Sequence, residues 1–149
     1  MSIFIDGDAC PVKDEVLRVA ERHGQTVHLV SNRWLRGYDH PLVEKTVVAD
    51  GMDAADDWIV AHIGPDDIAV TADILLAGRC LERQAQVLGP TGKPFTADSI
   101  GMAKAMRELS AQLRDSGDLS GGPAPFVRQD RSRFLSALEN MVQAIRRRG

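Results

Sequence analysis

"IFIDGDACPVKDEVLRVAERHGQTVHLV", residues 3–30, reads as a strand, a helix and a second strand. The apolar run at 3–5 is short and continuous, as in a buried strand. Pro11 suits the first turn of a helix, and Val12, Val16, Val19 and Ala20 recur at helical spacing behind it. Asp14 and Glu15 fall in the first turn and Arg22 and His23 in the last, each matched to the macrodipole, with Gly24 as terminator. "TVHLV" (26–30) is the second strand. A β-α-β unit of this kind joins parallel strands by a right-handed crossover.

The same alternation continues. "KTVVA" (45–49) reads as a strand, "DAADDWIVAHI" (53–63) as a helix closed by Gly64 and Pro65, and "DIAVTAD" (67–73) as a strand. "ILLAGRCLERQ" (74–84) reads as a helix and "AQVLG" (85–89) as a last strand. Beyond the turn-rich "PTGKPFTAD", a helix is expected over 99–114 with Ile100, Ala103, Met106, Leu109 and Leu113 inward. "DSGDLSGGPAP" (115–125) breaks regular structure, as its dense Gly and Pro require, and Phe126 favours packing. A final helix follows, with Phe134, Leu138, Met141, Val142 and Ile145 inward. The fold class is α/β with a mainly parallel sheet. Residues 1–149 are expected to form one domain, with 115–149 a loop plus a C-terminal helix packed on it.

Composition bounds the function. The chain is 44% hydrophobic and 26% charged, as a globular protein is. No apolar stretch approaches the roughly 20 residues that span a bilayer, so no membrane partner is expected. "MSIFIDGDAC" turns acidic where a signal peptide stays apolar, which makes a cytoplasmic location the expectation. A net charge of −3 argues against a protein that coats nucleic acid wholesale, but not against a nuclease whose acids are neutralised by metal. Cys10 and Cys80 lack metal-knuckle spacing, and both are read as structural. The four histidines, His23, His28, His40 and His62, match no zinc spacing.

The acids are the chemistry-bearing residues. Asp6, Asp8 and Asp73 follow strands, where α/β sheets bind ligands. At 100° per residue, Asp53, Asp56 and Asp57 share one helix face of about a third of the circumference. Carboxylates that converge within a few ångströms do not all stay ionised without a cation. Oxygen ligands without histidine favour Mg²⁺ or Mn²⁺, whose bound water can attack a phosphodiester. The connection "SNRWLRGYDHPLVE" (31–44) is long and mixes Trp and Arg, which marks it as functional. Arginines crowd the C-terminal part as well, at 128, 131, 133 and 146–148.

"DGDACPVK", "SNRWLR", "DAADDWI", "VTADILLA", "MRELSAQLRDSG" and "GGPAPFVRQDRSRF", in order along nearly the whole chain, resemble the YaiI/YqxD family of bacterial proteins. That family is similar to the PIN-like nucleases, which implies a three-layer fold with a mainly parallel central sheet flanked by helices. In the PIN-like pattern a first-strand acid corresponds to Asp6, a helix acid in "DxxI" to Asp56, and an acid after "T-x" at a strand end to Asp73. The pattern's further helix carboxylate has no counterpart in 31–46, and Asp8 and Asp53 are the candidates to replace it. The leading expectation is Mg²⁺- or Mn²⁺-dependent hydrolysis of nucleic acid, RNA favoured. Asp6, Asp56 and Asp73 would be catalytic and metal-holding, supported by Asp8 and Asp53. Asn32, Arg33, Trp34, Arg36, Arg107 and Arg114 would contact nucleic acid, Trp34 by stacking unless it packs beneath its loop.

Two other readings stand beside this one. A non-catalytic module would bind nucleic acid or protein. A phosphatase of the haloacid-dehalogenase type would use "DGDAC", with Asp6 as nucleophile and Asp8 as acid–base, although Cys10 replaces the usual Thr or Val.

Overall fold

The computed structural model describes residues 1–8, 10–49, 51, 53–102, 105 and 126–148. Strand β1 (Ser2–Asp6) leads into α1 (Lys13–His23), then β2 (Thr26–Ser31) and β3 (Val43–Val47). There follow α2 (Ala54–His62), β4 (Ile68–Val70), α3 (Ile74–Glu82), β5 (Gln86–Leu88) and β6 (Pro94–Phe95). Residues 97–102 begin a helix, α4, and α5 (Arg128–Arg148) closes the chain. The sheet order is β3-β2-β1-β4-β5-β6, parallel throughout except for the antiparallel β5–β6 pair. The protein is thus α/β, a six-stranded and mostly parallel sheet with helices on both faces.

Side-chain alternation builds the layers. Ile3 and Ile5 of β1, with Leu29 of β2 and Val70 of β4, pack against α1 and against Phe134, Leu138, Val142 and Ile145 of α5. Phe4, Val30, Ala69 and Val87 point the other way, onto Ile59 of α2, Leu76 and Cys80 of α3, and Ile100. This period of two separates two cores with one sheet between them. The inward set expected for α5 is buried, Met141 being partly so. Phe126 packs on the same core. Cys10 and Cys80 are buried free thiols, both pushed up by burial, Cys80 to about 11. No helix among the described residues is long and apolar enough to cross a membrane.

Several boundaries differ from expectation. α1 begins at Lys13, with Val12 as its cap residue, so Pro11 precedes the helix instead of opening it. β3 begins two residues early, because Val43 pairs with Val27 and the ladder then runs to Ser31–Val47. β4 keeps only Ile68–Val70, and Asp73 leaves the strand to cap α3. β5 is not the last strand. Gly92 turns the chain at φ +92 and allows Pro94–Phe95 to pair back onto it. The fourth helix starts at 97, ahead of the expected 99. Ala103, Met106, Arg107, Leu109, Leu113, Arg114 and residues 115–125, where a loop is expected, lie outside the described residues.

Candidate acidic site at the strand tips

β1 lies between β2 and β4, and the chain leaves these two neighbours in opposite directions across the sheet. That is the switch point where parallel sheets open a crevice beyond their carboxyl ends. Asp6 ends β1 there, and Asp73 follows β4. The two share a cavity of about 260 Å³ with Cys10, Pro11, Val70 and Thr71. A second hollow of about 370 Å³ is also lined by Asp73, together with Asp53, Asp56, Leu75, Arg79 and Glu82.

Each acid also has local work. The Asp6 Oδ1 accepts the Asp8 amide at 3.0 Å, a turn that an aspartate closes on its own backbone. Burial pushes the Asp6 carboxyl up. The Asp8 amide opposes this, the charges of Asp8 and Asp73 reinforce it, and Lys13 relieves it. Asp73 Oδ1 accepts the amides of Leu75 (2.8 Å) and Leu76 (3.4 Å), and its own amide donates to Thr71 Oγ1 at 3.0 Å. It is therefore the N-cap of α3, a role worth about 1 kcal/mol by itself. Asp53 precedes α2 without a side-chain cap bond. The Asp56 carboxyl is raised to about 6 by burial first, then by Asp73, Asp6 and Asp53, with Arg79 acting against them. Asp57, on the same helix face, pairs with Arg79 at 2.9 Å.

Asp8 turns elsewhere. Its Oδ2 accepts the Asn32 amide at 2.9 Å and its Oδ1 lies 4.0 Å from Arg33 Nε, so it ties the β2–β3 loop to the strand tip. Leu35 anchors the same loop, since a Cβ at Gly7 would fall 2.6 Å from its Cδ1. Lys45 Nζ reaches the Leu35 carbonyl (3.1 Å) and Asp39 Oδ1 (2.7 Å), and lies 4.7 Å from the centre of the Trp34 ring. Trp34 does not pack beneath the loop. It is 65% exposed, and Asn32, Arg33 and Arg36 are exposed beside it.

The structure therefore brings Asp6 to Asp73, and Asp73 to Asp56 and Asp53, and sets Asp8 toward the loop. Arg107 and Arg114 lie outside the described residues. Among the described residues, no three His, Cys, Asp or Glu side chains stand close enough to ligate one ion as placed. The donors are hard oxygens under mutual repulsion. An ion would be held by one or two of them with water completing its shell, which Mg²⁺ accepts. Sequence reasoning did not single out Arg79 as the countercharge or Lys13 as a neighbour of Asp6. Only helical spacing, Asp57 and Arg79 facing each other from α2 and α3, could have suggested the first.

A family model described as "Uncharacterized BCR, YaiI/YqxD family" matches residues 4–144. A UPF0178 protein of Parvibaculum lavamentivorans is 59% identical over 146 residues, covering 98% of this chain and 96% of that protein. A UPF0178 protein of Nitrobacter winogradskyi is 54% identical, covering 97% and 92%. One from Rhodospirillum rubrum is 54% identical over 148 residues, covering 99% of each chain. The chain belongs to the YaiI/YqxD family.

Proposed function

We propose that this member of the YaiI/YqxD family is a divalent-cation-dependent hydrolase of phosphodiester bonds in nucleic acid, with RNA the favoured substrate and the cytoplasm its place of action. The supporting observation is the shared cavity of Asp6 and Asp73 at the tips of β1 and β4, with the Asp56 carboxyl raised to about 6 by burial and then by the charges of these two acids. Asp6, Asp56 and Asp73 would hold Mg²⁺ or Mn²⁺, one or two of them directly and the rest through its bound waters, as the counterparts of three acids of the PIN-like pattern, with Asp53 standing in for the pattern's further helix carboxylate. The cation would supply charge neutralisation at the phosphoryl group and a water ready to attack. Asp73 would keep its orientation because α3 holds one of its oxygens. Asp8 acts through the loop, by holding Asn32 and Arg33 beside the tips. Arg33 and Arg36 would take phosphates, and the exposed Trp34 ring would stack on an unpaired base.

The phosphatase reading has weaker support, because Asp8, its acid–base, is engaged with Asn32 and Arg33 while Asp6, Cys10 and Pro11 line the cavity. Incubation of end-labelled single-stranded RNA with Mn²⁺ tests the proposal. Wild type should cleave, EDTA should stop it, and Asp6→Asn should lose activity by at least about 100-fold, as removal of a group acting in the transition state does. RNA binding without cleavage under any divalent cation would leave only the non-catalytic reading.

A further inference from the structure

The segment "FVRQDRSR" (126–133) is rich in arginine, and the proposed hydrolysis leaves it without a role. The start of α5 touches both loops that give a proline to the Asp6–Asp73 cavity, Pro11 after β1 and Pro90 after β5. Arg131 Nη1 donates to the Pro11 carbonyl at 2.7 Å, and its guanidinium lies 5.0 Å over the Phe126 ring. On the other loop, a Cβ at Gly92 would fall 2.8 Å from the carbonyl of Arg133, so this turn accepts only glycine against α5. Arg131 is thereby committed to structure. Arg128 and Arg133 are exposed on the first turns of α5, and Lys93 is exposed on the adjoining turn. Arg133 meets Asp130 at 3.3 Å; the Asp130 carboxyl is largely buried and also accepts the Val127 amide, while the Arg133 guanidinium is 68% exposed and open to a phosphate.

Sheet order places these cations. The loop carrying Arg33 and Arg36 follows β2, next to β1, and the turn carrying Lys93 follows β5, next to β4. The strands behind these two segments, β2 and β5, therefore lie on opposite sides of the β1–β4 pair, about 14 Å apart at three strand spacings. Asp6 and Asp73 line the cavity between them, and none of the described residues in its lining is a cation.

We propose that Arg128, Arg133 and Lys93 form a second phosphate-binding flank, so that a single-stranded polynucleotide crosses the Asp6–Asp73 cavity from the Arg33–Arg36 loop to the start of α5. This rests on the hydrolase reading above and adds the path of the substrate. Phosphates are common to RNA and DNA, so the flank takes both. Anisotropy of short labelled single-stranded RNA and DNA, titrated with the full chain across a salt series, tests it. Each phosphate contact contributes about 0.7 to the log–log salt slope, so Arg128→Ala/Arg133→Ala should lower the slope by about 1.4 on both strands. Arg128→Lys/Arg133→Lys should restore it, and the melting temperature should stay at the wild-type value. Wild type that binds with a salt slope while the double alanine variant keeps all of it would overturn the flank and leave the hydrolase reading intact. Wild type with no salt-dependent binding to either strand would overturn both.

Discussion

Asp56→Asn should stabilise the metal-free protein, and only on the alkaline side. The Asp56 carboxyl moves from the usual 3.8 to about 6 because burial and the charges of Asp73, Asp6 and Asp53 resist its ionisation. The folded chain therefore keeps a proton that the unfolded chain has lost, and stability falls as pH rises from about 4 through about 6. At about 1.4 kcal/mol per pH unit, this shift has a ceiling of about 3 kcal/mol. The side chain is partly exposed, and solvent screening brings the expectation to about 1 kcal/mol. For a chain of 149 residues that is a rise in Tm of about 2–4 °C at pH 8. At pH 4 wild type and variant should melt together. Thermal unfolding in EDTA, followed by circular dichroism from pH 4 to 8, reads this directly. Added Mn²⁺ should reverse the order, since an ion at 100 times its Kd stabilises wild type by about 2.7 kcal/mol. A variant that melts lower than wild type at pH 8 without metal, or by the same margin at every pH, would refute the electrostatic reading.

Other expectations are independent of the metal. Glu139 is drawn down to about 2 by hydrogen bonds from Arg22 and His23, which bind α1 to α5, and from Gln143 on α5 itself. Its contribution is present above about pH 4.5 and lost as pH falls through about 2, so Glu139→Gln should lower Tm at pH 7 and converge with wild type in acid. Phe134→Ala, which empties a fully buried position under α5, should cost about 3–5 kcal/mol in urea unfolding. Trp34→Ala should leave stability within about 0.5 kcal/mol while weakening RNA binding in anisotropy by about 1–3 kcal/mol, because the exposed ring packs on little of the fold.

The helix-strand alternation and the inward faces of α1 and α5 were legible in the sequence, because hydrophobic period alone sets which side of an element is buried. Asp6 was legible for the same reason, as an acid at the end of a three-residue apolar run. The role of Asp73 was only half visible. Its place after an apolar run suggested a strand tip, whereas the amides of Leu75 and Leu76 take it as the cap of α3. A cap and a ligand look alike in sequence, since both place a short carboxylate before a helix. Asp8 was legible as an acid but not in its direction, which depends on the Asn32 amide 24 residues away. β6 was hidden because a two-residue strand containing Pro94 has no period to detect, and its pairing follows from the turn at Gly92. The contact between Arg131 and the Pro11 carbonyl joins segments 120 residues apart, and local pattern holds no record of it.

The central claim is that the carboxylates of Asp6, Asp56 and Asp73 act together on a divalent cation. Calorimetric titration of the metal-free protein with Mn²⁺ at pH 7.5, beside Asp6→Asn and Asp73→Asn, measures this without reference to any substrate. Wild type should give a saturable isotherm, and each substitution should weaken it by at least about tenfold, the loss expected when one of few ligands is removed. Mn²⁺ should also bind more weakly below pH 6, where Asp56 takes up a proton. Wild type with no saturable heat at millimolar Mn²⁺, or variants that bind as wild type does, would contradict the claim.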